Sequence, residues 1–304
     1  MLPHILLLVA VVIWGWTFVA TKIVVAEIGP VELLALRLVI GVPFLGAVLV
    51  ARRVAIRLQR EDLKPVLLGG ALVTTHFLVQ ITGLQTTTAT NTAWIITVTP
   101  LVLAVLSVRL LGERVGRDGV VGIAIASAGI LLLVSRGRLG DLDWLRSTGD
   151  WLALASAFTW AFYTVATREL AGRRDPILVT LAILAVAAAL VLPLFAAIGD
   201  MDAVRSLSPR AVVALLYLAI PGLALGHWFW QEGVAKLGGT RSGFYLYLEP
   251  LSTVALAVPL LSEPFGLVAA LGAALVLTGV FVGQRESRAG ASPSGLAPEE
   301  AEAR

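Results

Sequence analysis

The stretch WGWTFVATK, at residues 14–22, determines the fold that the sequence predicts, because the chain repeats it. A second stretch, WAFYTVATR at residues 160–168, has the same leading tryptophan, the same Val-Ala-Thr triplet and a basic residue in the last place. The offset of 146 residues also matches Pro30 with Pro176. Similarity at a fixed offset indicates an internal repeat, so we expect two related structural units.

The repeat continues through each half at an offset of 150 residues. Seven pairs correspond there: Gly83 with Gly233, Thr90 with Thr240, Trp94 with Phe244, Pro100 with Pro250, Glu113 with Glu263, Gly122 with Gly272 and Gly129 with Gly279. We predict a first repeat at residues 1–136, an outer loop at 137–149 and a second repeat at 150–284. The polar, small-residue-rich remainder, 285–304, predicts a disordered cytoplasmic tail.

The composition is that of a polytopic membrane protein. Of the 304 residues 58% are hydrophobic and 14% charged, whereas soluble domains are about 45–50% apolar. Ten apolar stretches are long enough to cross a bilayer as helices; they lie at 4–26, 32–50, 64–84, 89–110, 119–135, 150–170, 177–198, 210–235, 240–261 and 267–283. The predicted fold is therefore an all-α integral membrane protein with ten transmembrane helices.

The basic residues predict the orientation. With the N-terminus inside, 16 of the 23 Lys and Arg residues fall in the cytoplasmic loops and tail, five fall outside, and only Lys22 and Arg37 lie within spans. By the positive-inside rule both termini are cytoplasmic, in the cell (inner) membrane. Five spans per half is an odd number, so the two repeats are inverted. Inverted repeats are typical of secondary transporters, which open a central site alternately to either face.

Other function classes receive little support from the sequence. The chain has no cysteine, which excludes disulfides, thiolate nucleophiles and Cys-based metal sites. Its pI of 9.6 is explained by basic membrane-surface residues, so no nucleic-acid partner is expected. We expect a small-molecule substrate and the lipid bilayer as partners, with no cofactor and no metal.

Two longer stretches carry a family resemblance. TPLVLAVLSVRLLGERVGRDGVVGIAIASAGILLL at 99–133 and EPLSTVALAVPLLSEPFGLVAALGAALVLTGVFVG at 249–283 resemble the two copies of the EamA-type domain of the drug/metabolite transporter superfamily. The resemblance implies alternating access and a central cavity lined by spans 1–4 and 6–9, with spans 5 and 10 at the periphery. It also implies transport of amino acids or other small metabolites, commonly outward.

Glu249 is the acidic residue that falls near the middle of a span, where a charge is expensive. It is a candidate for carrying a coupling proton or for pairing with a substrate ammonium group. The alternative is a structural role, because the following Pro250 frees backbone groups that a carboxyl group can bond.

Lys22 and Arg37 flank a tight connection near the outer side. They are candidates for binding a substrate carboxylate or phosphate. The alternatives are snorkelling to the membrane surface or pairing with Glu27 or Glu32.

Polar and aromatic side chains complete the predicted site. His76 and Gln80 share one helix face, as do His227 and Gln231, since each pair is spaced i, i+4. These groups either bind substrate or relay protons, or they join helices by hydrogen bonds. Aromatic residues on the predicted lining spans suit an amphipathic solute, although an interfacial belt is the alternative for part of them. The aromatic candidates are Trp14, Trp94, Trp160, Tyr163 and Tyr245.

Two further patterns concern motion and helix contact. Pro100 and Pro250 correspond across the repeat and are hinge candidates near mid-span. Gly279 and Gly283 form a G-x-x-x-G arrangement that favours close helix approach, either within the fold or in a homodimer.

We therefore predict a transporter, not an enzyme, that exports small amino-acid-like or related polar or amphipathic metabolites by alternating access. Multidrug efflux is the alternative, but Lys22 stands in the first span where small multidrug resistance proteins have a carboxylate, which favours an anionic or zwitterionic solute. A membrane-embedded enzyme acting on lipid-linked substrates is more remote, since the chain shows no H-E-x-x-H, G-x-S-x-G or P-loop motif.

Overall fold

A computed structural model describes residues 1–113, 115–134, 147–261 and 267–289, which are helical without any β-strand. Their α-helices are α1 (Leu2–Val24), α2 (Pro30–Ala51), α3 (Leu63–Thr86), α4 (Ala89–Ile95), α5 (Thr99–Leu111), α6 (Arg117–Val134), α7 (Thr148–Arg173), α8 (Pro176–Ile198), α9 (Met201–Arg205), α10 (Pro209–Tyr217), α11 (Gly226–Leu237), α12 (Gly239–Leu246), α13 (Glu249–Leu261) and α14 (Leu267–Ala289). Short 3₁₀ helices occupy Arg60–Asp62 and Ile96–Val98. Helix α14 runs beyond the expected tail boundary at residue 284; Glu263, residues 135–146 of the inter-repeat region and residues 290–304 lie outside the described residues.

The helices confirm a membrane protein of the all-α class. Six segments of the described chain are long and apolar enough to cross a bilayer: Leu2–Val24, Pro30–Ala51, Arg60–Thr86, Ala89–Leu111, Pro176–Ile198 and Pro209–Leu237. Their outward faces keep large apolar side chains exposed, among them Leu8, Val39 and Leu190. Lipid is the solvent in which such faces are stable.

Two predicted spans are broken near the matched prolines. The 89–110 span consists of α4, a 3₁₀ turn and α5, which begins with Thr99 and Pro100. The 240–261 span consists of α12 and α13, and α13 begins with Glu249 and Pro250. Proline lacks an N–H donor and is preferred in the first helical turn. Each proline therefore starts a new helix within its predicted span.

A π-helix at Leu218–Leu225 separates α10 from α11 in the predicted 210–235 span. It contains Pro221, whose missing N–H disturbs the regular hydrogen-bond pattern. The carbonyl oxygen of Gly222 accepts a hydrogen bond from Trp14 Nε1 at 2.9 Å. The irregular segment thus anchors an indole of α1.

Helices α6 and α14 pack together through glycines. A Cβ atom on Gly122 would lie 2.6 Å from the carbonyl oxygen of Gly279, and one on Gly129 would lie 2.7 Å from that of Gly272. The contacts run in opposite chain directions, so the helices are antiparallel. At the repeat offset of 150, residue 122 corresponds to residue 272 and residue 129 to residue 279. The Gly122–Gly279 and Gly129–Gly272 contacts are therefore equivalent between the two halves. The close approach that the glycines predicted therefore occurs within the fold.

Repeat-related positions also meet at the two ends of the bundle, which we call the Lys22 end and the Glu113 end. At the Lys22 end, Glu27 accepts hydrogen bonds from the backbone N–H and hydroxyl of Ser208 at 2.8 and 2.6 Å. At the Glu113 end, Asp62 accepts one from Arg174 Nε at 2.8 Å. At the offset of 146, residue 62 corresponds to residue 208, and residue 27 corresponds to residue 173, which is the neighbour of Arg174. The halves thus make equivalent contacts at opposite ends.

Candidate functional site

A cavity lies between the two halves of the bundle; its empty space is about 490 Å³ when the opening is included, and about 40 Å³ of it is open to the centres of water-sized molecules. It is lined by Trp14, Thr17, Phe18, Arg37, His76, Phe77, Gln80, Ile96, Thr99, Ala157, Trp160, His227, Leu246 and Glu249. These residues come from both halves, and neither α6 nor α14 contributes to the lining described. Seven of the predicted site residues meet here: Trp14, Arg37, His76, Gln80, Trp160, His227 and Glu249.

Arg37 brings a positive charge to the cavity from α2. Its side chain is only 3% exposed, and its guanidinium carbon lies 4.4 Å from the centroid of the Phe77 ring. The ring face offers partial compensation for the buried cation. However, Nε has no hydrogen-bond partner, and no carboxylate of the described residues forms an ion pair with Arg37. A buried cation in this condition is a functional candidate.

Glu249 brings a carboxylate from the first turn of α13. The residue is 6% exposed, and the N-terminal end of a helix is a favourable position for negative charge. Its backbone carbonyl oxygen accepts a hydrogen bond from the hydroxyl of Thr253. Its carboxylate has no hydrogen bond or ion pair within the described residues. The bonding to freed backbone groups that we considered above is therefore not seen.

Aromatic rings form the wall around the two charges. The Trp14 and Trp160 rings, which correspond in the repeat, have centroids 5.0 Å apart in an edge-on arrangement. The His227 ring lies 5.4 Å from that of Trp14, 5.3 Å from that of Trp160 and 5.3 Å from that of Phe77. Such pairs have defined geometry and favour a fixed, apolar wall.

The two predicted His–Gln pairs have different surroundings. His76 and Gln80 both line the cavity, and His76 Nδ1 donates to the carbonyl oxygen of Ser156 at 3.0 Å. His227 lines the cavity, but Gln231 lies behind it. The Gln231 amide donates to the Tyr163 hydroxyl at 2.9 Å and to Thr167 at 3.0 Å. The second pair therefore combines a cavity residue with a helix-joining one.

Four predicted site residues lie outside the cavity lining. Lys22 Nζ donates to the carbonyl oxygens of Leu84 and Thr87, at 2.7 and 2.9 Å, at the C-terminal end of α3. Tyr163 is fully buried behind Trp160. Trp94 borders a separate apolar groove against α6, and the Tyr245 hydroxyl lies 2.5 Å from His4 Nδ1. The Lys22 position is explained by the partial negative charge at a helix C-terminus.

Sequence reasoning missed several lining residues, notably Thr17, Phe18 and Phe77. Thr17 and Phe18 follow Trp14 by three and four positions, and Gln80 follows Phe77 by three. Residues at these spacings share a helix face. The signal was therefore present as helical spacing from residues already selected.

Comparisons with known proteins agree with this architecture. The profile of the EamA-like transporter family matches residues 1–135 and 147–283. An uncharacterized transporter of Archaeoglobus fulgidus is 29% identical over 280 residues, covering 92% of this chain and 96% of its own. The uncharacterized transporter YvbV of Bacillus subtilis is 26% identical over 286 residues, covering 93% and 92%.

Two more similarities extend the picture. A WAT1-related chloroplastic protein of Arabidopsis thaliana is 30% identical over 210 residues, 66% of this chain and 49% of that protein. A solved crystal structure that is 22% identical superposes with a TM-score of 0.76 and covers 95% of this chain and 99% of its own. The latter likeness shows the fold alone.

Proposed function

Because this chain belongs to the EamA-like transporter family, we propose that it is a secondary active transporter of small, amino-acid-like zwitterions. It binds them in the central cavity and exports them across the cytoplasmic membrane by alternating access. One observation carries this proposal. Arg37 and Glu249 bring opposite charges to one cavity, and neither has a charged partner among the described residues.

The free-energy cost of burying Arg37 and Glu249 without partners favours a zwitterionic solute. A buried charge without a partner is costly, and removal of one partner from a buried pair leaves that cost in place. A solute with a carboxylate and an ammonium group pairs with both Arg37 and Glu249, whereas a simple anion or cation leaves one of them unpaired. The aromatic wall of Trp14, Trp160 and Phe77 then suits an apolar side chain.

Multidrug efflux is less well supported, because the Arg37 charge in the cavity repels the lipophilic cations that such transporters carry.

The repeat contacts support alternating access. The antiparallel α6–α14 pair and the equivalent contacts at opposite ends are what an inverted pair of repeats produces. We propose ten membrane crossings, with α4 and α5 forming one, α10 and α11 another, and α12 and α13 a third. Both termini then lie on the cytoplasmic side, where the basic loops place them.

Glu249 is our candidate for coupling transport to protons. When the solute leaves, the Glu249 carboxylate stays in the cavity without an ammonium partner. Protonation removes the charge and with it the cost of burial. Pro100 and Pro250, which begin α5 and α13, are the proposed hinges.

The test is a counterflow screen in proteoliposomes with amino acids, nucleosides, sugar phosphates and cationic dyes. We expect zwitterionic amino acids to exchange without chemical change, and Glu249→Gln and Arg37→Gln each to abolish most of that exchange. Lys22→Ala is the matched control, because Lys22 lies outside the lining and its loss should leave solute selectivity unchanged. Exchange confined to dyes, or conversion of a lipid-linked compound without exchange, would contradict the proposal.

A further inference from the structure

The side chain of Glu113 joins three helices at one end of the bundle. Its Oε1 accepts hydrogen bonds from Arg168 Nε on α7 and from the backbone N–H of Gly239, both at 2.9 Å. Its Oε2 accepts one from the backbone N–H of Thr240 at 3.0 Å. Helix α5 ends at Leu111, and Gly112 follows it in a left-handed conformation with φ +65°. Glu113 is the next residue. One carboxylate of the first half thus holds two elements of the second half.

The surroundings favour the charged form of this carboxylate. Partial burial on its own would raise the pKa of Glu113, but the N–H groups of Thr240 and Gly239 and the Arg168 charge outweigh it and lower the pKa. The N-terminal end of α12 adds its partial positive charge. The set of Glu113, Arg168, Gly239 and Thr240, which we call the Glu113 latch, is therefore an ionic contact with a definite closed geometry.

Helix α12 is a short segment between two backbone breaks. Before it, Gly238 adopts φ +82°, a conformation that is essentially restricted to glycine. After it, Tyr247 and Leu248 form a turn that leads to Glu249 at the start of α13. Leu246, the last residue of α12, and Glu249 both line the central cavity. The eight residues of α12 thus connect the latch to the cavity.

The contact between α12 and α5 is made largely by small residues. Gly239 faces Ser107, and Gly243 faces Leu103. The hydroxyl oxygens of Ser107 and Ser242 are buried without a hydrogen-bond partner in the structure. Small residues allow close approach of helices in a membrane, and among the described residues the ionic contact at this interface is the one made by Glu113.

We propose that α12 is the gate at the Glu113 end of the transport path and that the Glu113 latch keeps it closed. Opening the cavity to that face requires Glu113 to release the backbone of α12 and Arg168. Helix α12 then pivots between Gly238 and the Tyr247–Leu248 turn and moves Leu246 away from the cavity. This inference rests on the proposed transport function, and it adds the residues that control access from one face.

The absence of cysteine from the sequence makes a direct test possible. Thr17→Cys places a single thiol in the cavity lining, and membrane-impermeant charged maleimides report its accessibility from either face of sealed vesicles. Glu113→Gln keeps the shape of the side chain and removes its charge. Since hydrogen bonds to charged groups are the strong ones, we expect about a tenfold faster reaction from the Glu113 face and a slower reaction from the Lys22 face.

Glu61→Gln is the matched control, because Glu61 lies at the same end in an exposed ion pair with Arg173. It should leave both labelling rates unchanged. Equal rates with and without Glu113→Gln, or a rise from both faces alike, would overturn the proposal, the latter by showing general loosening. Labelling needs no solute, so its result stays separate from the outcome of the exchange assay.

A second measurement covers the case in which Glu113→Gln weakens the whole fold. Glu113→Cys together with Thr240→Cys supplies two thiols that a short bifunctional thiol reagent can join, which replaces the latch covalently. The joined protein should lose labelling of the cavity from the Glu113 face and lose exchange, and a cleavable linker should restore both. Unimpaired exchange in the joined protein would refute the gate.

Discussion

Lys22 and Arg37 are both cations in apolar helices, yet their surroundings assign them different roles. Lys22 bonds carbonyl oxygens at the end of α3, whereas Arg37 faces the cavity without an acidic partner among the described residues. Both charges were visible in the sequence. Their partners were not, because the carbonyls of Leu84 and Thr87 come close to Lys22 only through packing between helices.

This difference predicts separate effects on stability and transport. Lys22→Met should lower the free energy of unfolding by about 1 kcal/mol, since two carbonyl groups lose a charged donor. It should leave the apparent affinity for the solute unchanged. Thermal unfolding in detergent and exchange kinetics in proteoliposomes measure the two effects. A large change in affinity would place Lys22 in the site after all.

Gly238 offers a second prediction at this scale. Alanine is strained at φ +82°, so Gly238→Ala should destabilise the fold by about 1–3 kcal/mol. Gly172→Ala is the control, because Gly172 lies on α7 with open space around its Cα. There alanine should stabilise by about 0.5–1 kcal/mol. If both variants shift the melting temperature in the same direction, the claim that position 238 requires glycine is wrong.

Asp62 should make stability depend on acid. The Gln59 N–H lowers the pKa of this carboxyl group, as does Arg174, against an opposing effect of burial. Its contribution is therefore fully present above the unfolded value of about 3.9 and is lost as the pH falls through the lower folded-state pKa.

Thermal unfolding from pH 7 to pH 3 should thus show an acid-dependent loss that Asp62→Asn diminishes. Asp202→Asn is the control, since Asp202 is exposed in a local pair with Arg205 and such pairs contribute little. An identical acid dependence for Asp62→Asn and the unmodified protein would contradict this role.

At the scale of helices, irregular segments interrupt several predicted spans, and two of them contribute a lining residue each, Ile96 and Leu246. The half-helices α4 and α12 and the π-helix all lie within predicted spans. The matched prolines predicted a disturbance near residues 100 and 250. They did not predict that each would begin a new helix, and the π-helix has no distinct hydropathy pattern, since an apolar run looks the same in either helix type.

The glycine contact of α6 and α14 gives the prediction at this scale. Gly129→Ala forces a Cβ against the backbone of Gly272 and should cost about 1–3 kcal/mol through overpacking. Gly46→Ala, on α2 with nothing within 4 Å of a Cβ, should be neutral or slightly stabilising. Unfolding midpoints of the two variants decide the matter; equal midpoints would show that the close packing is not required.

For the whole molecule, the repeat was the most informative feature of the sequence. It predicted the correspondence between halves, because a duplicated pattern is written in residue identities and spacing, whereas the apolar composition predicted the helical membrane fold. The cavity could be predicted only in part. Seven predicted residues meet in it, but Trp94 and Tyr245 lie elsewhere, since their direction from the helix depends on breaks that sequence patterns do not locate.

The central claim is that one cavity pairs a solute carboxylate with Arg37 and a solute ammonium group with Glu249. The most direct measurement is the affinity of the purified protein for three matched compounds: an amino acid, its analogue without the carboxylate, and its analogue without the amine. Arg37→Gln should weaken only the two compounds that carry a carboxylate, and Glu249→Gln only the two that carry an amine. Equal loss for all three compounds in both variants would contradict the claim.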